Sequence, residues 1–145
     1  MDRLPTAAAL SRRGIVLEDQ SCPFCSDYIE TVEHVFTACR FASILWQNIS
    51  SWCKVPNMFS FSFKDLLELK SHSGLSGKKA EIFHGLVIIG CWCLWRLRNN
   101  IRFNNKVARM EDVISEVRSC GFLWAKNRAK LTSLSWSDWC KFVNM

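Results

Sequence analysis

The stretch SCPFCSDYIETVEHVFTAC, residues 21–39, decides how the rest of the chain is read. It holds Cys22-x2-Cys25-x8-His34-x4-Cys39, four soft or borderline donors in order within 18 residues. A tetrahedral Zn²⁺ needs four such donors converging at about 2.0–2.3 Å. The Cys-x2-Cys pair supplies two thiolates from one tight knuckle, with Pro23 helping to fix its backbone. His34 falls on a short helix predicted over Thr31–Ala38, with Thr31 as its cap. Cys39 comes five positions later and on a continuous α-helix would point ~140° away. The spacing therefore predicts that the helix ends between the two. Three thiolates and a neutral imidazole carry net charge −1, and Arg40 is near enough in sequence to offset it. All four positions are filled by protein, which describes one structural Zn²⁺ with no open place for a water nucleophile.

The flanking sequence reads as helix on both sides. Leu4–Gly14 has Thr6 as N-cap, Arg12 and Arg13 in the last turn, and Gly14 at the left-handed C-cap. Phe41–Cys53 carries Phe41, Ile44, Leu45, Ile49 and Trp52 at helical period. Phe59, Phe61 and Phe63 alternate as in a short extended segment, and Ser62-x-x-Asp65 opens a further helix. SHSGLSGKK, residues 71–79, has the composition of a linker. Lys78–Asn105 reads as one long helix, which Gly85 and Gly90 each weaken by ~1 kcal/mol relative to Ala. Glu111–Lys130 is a second helix with acidic first and basic last turns, as the helix dipole prefers. A final helix starts near Ser135 and is expected to bury Trp136, Trp139 and Val143. The expectation is a mainly α fold: a small helical N-terminal unit stabilised by the zinc knuckle, then a helical hairpin, with little or no sheet. The domains predicted are 1–70 (zinc-binding), a 71–79 linker, and 80–145 (a basic helical region).

Charge follows the same division. The chain has 145 residues and net charge +6. Residues 1–72 hold 7 basic and 8 acidic side chains, whereas residues 73–145 hold 12 basic against 5 acidic. A polyanionic partner is therefore considered for the second half alone. Arg98, Arg102 and Lys106 recur every fourth residue, with Arg109 a turn beyond, and Lys126, Arg128 and Lys130 form a second cluster. These seven are the candidate contacts to RNA or DNA, through counterion release. Leu86, Gly90, Cys93, Leu97 and Ile101 make the packing stripe of the same helix, and core packing is also the reading for Trp92 and Trp95.

Eight Cys would fit a disulfide scaffold in a secreted protein. The N-terminus, MDRLPTAAALSRRG, has no apolar signal core, so the expectation is an intracellular protein, nuclear or cytoplasmic, with reduced thiols. Cys53, Cys91, Cys93, Cys120 and Cys140 are assigned to packing; Cys91 and Cys93 diverge by ~200° on a helix and cannot chelate together. The longest apolar run, Ile82–Trp95, is short of the ~20 residues that span a bilayer, and no membrane partner is expected.

Four phrases, LPTAAALSRRGI, CPFC, ETVEHVFTAC and RFASILWQNISSW, resemble the zinc-binding domain that follows the reverse transcriptase in plant LINE-type (non-LTR) retrotransposon polyproteins. They map onto Leu4–Gly14, Cys22–Cys25, Glu30–Cys39 and Phe41–Trp52. WCLWRLRNNIRFNN (92–105) and LSWSDWCKF (134–142) are similar to the Trp-rich phrases that follow that domain. The family's domain usually begins further upstream, so the resemblance implies N-terminal truncation. It implies a module that assists RNA or DNA binding by a retroelement polymerase, with a reverse transcriptase domain of the parent element as a second partner. A structural or protein-interaction module, or a remnant without independent activity, is the alternative.

No catalytic constellation is legible. Polymerase chemistry needs carboxylates converging on two Mg²⁺, and the adjacent acidic pairs, Glu18-Asp19 and Glu111-Asp112, lack a strand–turn–strand context. No four-carboxylate set for ribonuclease H appears. Gly74-Leu-Ser-Gly77-Lys-Lys lacks the gap between glycines and the Ser/Thr that a phosphate-binding loop requires. His72 and His84 are lone. The expectation is that this chain by itself is not an enzyme.

Overall fold

A computed structural model describes residues 4–56 and 62–145. Six α-helices are ordered α1 (Ala7–Arg12), α2 (Arg40–Trp52), α3 (Phe63–Leu67), α4 (Gly77–Asn104), α5 (Met110–Asn127) and α6 (Trp136–Lys141). A π-helical turn, His34–Ala38, precedes α2, and a 3₁₀ turn, Leu69–His72, follows α3. Among the described residues there is no strand; a single antiparallel bridge joins Ser21 to Ile29. The mainly α expectation holds, and its capping signals act as read. Thr6, Ser62 and Ser135 each accept a backbone N–H three residues on, from Ala9, Asp65 and Asp138. Gly14 takes its left-handed conformation at φ +83°. Of the alternating phenylalanines, Phe59 and Phe61 lie outside the described residues, and Phe63 begins α3.

Helix α4 is the axis of the molecule. It packs against α2, α3 and α5 and against both short turns. One continuous core joins Val35, Phe36 and Leu45 of the first half to Leu86, Leu94, Val117 and Trp139 of the second. Within residues 71–79, the 3₁₀ turn ends at His72, the Ser73 hydroxyl takes the Leu75 N–H, and α4 begins at Gly77. By length and apolarity α4 can cross a membrane, yet 56% of its most apolar window is buried in this core.

The glycines of the hairpin are sites of close approach. A Cβ on Gly85 would lie 2.3 Å from the Trp124 ring, one on Gly90 2.7 Å from Trp46, and one on Gly121 2.7 Å from Leu86. Each lets a large side chain lie directly on helix backbone, which recovers more in packing than helix propensity loses. Trp139 fills the space between α2 and α5, its indole N–H donating to the Arg118 carbonyl while its own carbonyl accepts from Trp52.

Two tryptophans depart from expectation. Trp136 is 47% exposed, its ring edge-on to Phe122, because α6 turns Trp139 inward instead. Trp92 is 59% exposed on the outer face of α4, beside Ile88, whereas Trp95 packs on Phe36. In α2 the apolar stripe includes Trp46, which is buried, and leaves Ile44 outside.

Candidate metal centre

The four donors of the 21–39 stretch come together. The ligand atoms of Cys22, Cys25, His34 and Cys39 all lie within 4.8 Å of one another. Cys25 Sγ is 3.3 Å from His34 Nε2, and Cys22 Sγ is 3.9 Å from Cys39 Sγ. A tetrahedral Zn²⁺ with ordinary bond lengths sets its ligands roughly 3.5–3.8 Å apart. The set fits one such ion with adjustments of at most about an ångström. With three thiolates and one imidazole, all supplied by the chain, the chemistry is that of a structural site.

Local backbone explains how these side chains converge. In the knuckle the Ser26 N–H bonds the Cys22 carbonyl and the Cys22 N–H bonds the Tyr28 carbonyl, with Ser26 itself at φ +62°. Thr31 Oγ1 accepts the His34 N–H and so caps the next helix as expected. That helix ends at Ala38, between the two ligands as expected, and widens into a π turn before it does so. The Cys39 N–H reaches back to the His34 carbonyl, an i→i+5 bond that closes a wider turn than an α-helix and brings the two ligands to the same side. Cys39 then adopts an extended conformation and starts α2. The Trp46 indole holds the π turn in place by donating to the Phe36 carbonyl.

Backbone donors surround the thiolates. Cys39 accepts from the Cys22 thiol and from the N–H groups of Phe41 and Ala42 at the start of α2, which together hold its thiol below the usual range. Cys22 is pushed up in the same pairing, although the Phe24 and Cys25 N–H groups favour its ionised form. Metal binding requires both thiols to be deprotonated, and these backbone donors favour that form.

The anchor of this unit is a residue that spacing arguments do not single out. Glu30, immediately before the Thr31 cap, is fully buried. Its Oε1 accepts the Ala7 N–H at the start of α1, and its carboxylate is bound in two places by Arg98 of α4, Nε to Oε2 and Nη2 to Oε1, each at 2.7 Å. The Arg98 guanidinium also donates to the Pro5 carbonyl and lies over the Trp95 ring. Arg102 Nη1 and Nη2 donate to the carbonyls of Asp19 and Ser21, and Nη2 is 3.4 Å from Glu30.

This geometry corrects the candidate nucleic-acid stripe. Arg98 is buried and Arg102 nearly so, because one buried carboxylate and the knuckle carbonyls demand their guanidinium groups. Arg98 is thereby spent on its carboxylate, while Arg102 keeps a buried Nε with no hydrogen-bond partner. Lys106, Arg109, Arg128 and Lys130 are exposed, while Lys126 is half-buried with its ammonium over Phe122. The two remaining clusters lie at opposite ends of α5, whose 18 residues separate them by about 27 Å. The other five cysteines are free thiols away from the metal set. Cys53, Cys91 and Cys93 are buried, and burial raises all three, the last two to about 12.

Residues 1–46 match the family model for zinc-binding in reverse transcriptase. The N-terminal third of the chain is thus similar to reverse-transcriptase zinc-binding domains, and its Cys/Cys/His/Cys set has the composition and compactness to hold one zinc ion. No characterised protein and no solved structure matches the chain. The matched segment stops before Arg98, the residue that neutralises its buried Glu30.

Proposed function

We propose that this chain is a noncatalytic, zinc-stabilised module that helps a retroelement polymerase of the plant LINE type hold RNA or DNA. The observation that carries the reading is the closed Cys₃His set within a segment matching reverse-transcriptase zinc-binding domains. The site leaves no coordination position for a reacting water, so its role is to hold the knuckle against α2 and α4. The net positive second half supplies the attraction for phosphate, through Lys106 and Arg109 at one end of α5 and Arg128 and Lys130 at the other. An intracellular setting, nuclear or cytoplasmic, goes with this role and with eight cysteines that form no disulfide.

Filter retention of a labelled RNA at rising salt tests it. Log affinity should fall linearly with log salt, and the double substitution Lys106→Ala/Arg109→Ala should reduce that slope by about 2. Undetectable retention at low salt removes the reading. One observation favours a protein-docking role: Ile88 and Trp92 stand exposed on α4. Self-association that Trp92→Glu abolishes, together with absent RNA binding, would support that role instead.

A further inference from the structure

A cleft of about 760 Å³ lies between the knuckle loop and the C-terminal half of α4, within the usual size range of small-ligand sites. Its walls are largely apolar, from Leu10, Leu17, Trp95 and Ile101. Arg98 and Arg102 line it as well, but their charge is committed to Glu30 and to the carbonyls of Pro5, Asp19 and Ser21. The Asp19 carboxylate, bonded to the N–H and hydroxyl of Ser21, adds negative charge at the same edge. Glu30 and Asp19 thus balance the two guanidinium charges, although the buried Arg102 Nε keeps a donor with no hydrogen-bond partner. Beyond that donor, what remains is neutral hydrogen-bonding capacity: Asn99, whose Oδ1 accepts from Arg98 and whose Nδ2 is left to donate, and the Ser26 hydroxyl. At the rim Phe103 also lines the cleft and is 73% exposed, and Lys106 follows three residues later in solvent.

A neutral, planar group with mixed donors and acceptors, tethered to a phosphate, matches this distribution. We propose that the cleft takes one unpaired base of a single-stranded nucleic acid, with a neighbouring base stacked on Phe103 and the adjoining phosphate at Lys106. The proposal rests on the nucleic-acid reading above and gives it a site. It also gives Arg98 and Arg102 a different part from the one their spacing suggested. They build the floor under a base while Lys106 beyond them meets the backbone.

The test compares the full-length zinc-loaded protein binding three labelled ten-nucleotide probes in fluorescence anisotropy: an RNA strand, its DNA counterpart, and a strand of the same length lacking bases. A duplex of the same sequence is the fourth arm. The strands with bases should bind about tenfold more tightly than the baseless strand or the duplex. Phe103→Ala, at an exposed position, should remove most of that difference without changing zinc content or helicity. Asn99→Trp, which fills the cleft, should do the same. Equal affinity for intact and baseless strands, weakened alike by Lys106→Ala, overturns the base site while leaving phosphate binding intact. Absence of binding to every probe at low salt overturns both.

Discussion

At the scale of single residues, Glu30 and Arg98 form the most deeply buried ion pair among the described residues. Both are buried, and the carboxylate also accepts a backbone N–H of α1. Arg98→Met strands a buried carboxylate and should cost about 3–5 kcal/mol, a fall in Tm of roughly 10 °C for a chain of this size. Adding Glu30→Gln should recover much of the loss; a double variant no better than Arg98→Met alone would contradict the pairing. The zinc ligands behave differently, because their loss removes a metal and not one contact. Protein purified without added zinc should contain one equivalent, and Cys25→Ser should lose it together with helical signal. A metal-free but stably folded wild type would refute the site. The buried thiols set an alkaline limit. Burial raises Cys91 and Cys93 to about 12 from an ordinary 9.0, so folding holds them protonated where the unfolded chain would ionise. Their contribution is complete below pH 9 and is lost as pH rises through 12. Thermal melts from pH 8 to 11 should show this decline, and Cys91→Ala should make it shallower.

At the scale of elements, the sequence was most readable where a local rule operates. The three Ser/Thr caps, the Gly14 stop and the long periodic helices all appear as read, since each depends on residues within a turn of one another. The π-helical turn was not legible. Spacing showed that His34 and Cys39 cannot share a face of an α-helix, and either termination or widening solves that problem. Glycine was misjudged for a similar reason. Propensity counts Gly85 and Gly90 as losses, yet each accepts a tryptophan ring against the α4 backbone. Gly90→Ala should therefore destabilise by about 1–3 kcal/mol through overpacking against Trp46, despite the ~1 kcal/mol that alanine gains in helix propensity. Urea denaturation measures the sign directly; a more stable variant would show that the Trp46 ring can retreat.

At the scale of the molecule, the zinc unit and the basic helical half are parts of one core. The reverse-transcriptase zinc-binding match ends at residue 46, while α4 supplies both the cation for Glu30 and the apolar surface against which α2 and the π turn pack. A fragment of residues 1–56 should therefore fail to fold cooperatively even with zinc. Co-expression with residues 62–145 should restore protection of the N-terminal segment against proteolysis. A fragment that folds on zinc alone would show the metal suffices.

The sequence by itself determined the metal chemistry and the helices, because ligand type, ligand order, capping and 3.6-residue periodicity are written in short windows. Tertiary structure alone decided what the arginines do. A side chain at helical spacing is equally a solvated cation or the partner of a buried acid, and only folding brings Glu30, 68 residues away in the chain, against Arg98. Once that carboxylate is buried, the energetic cost of leaving it unpaired draws Arg98 and Arg102 inward. Of the seven cations read from the sequence, Lys106, Arg109, Arg128 and Lys130 stay exposed, Arg109 within 3.9 Å of Asp112, and Arg98 and Arg102 line a cleft instead.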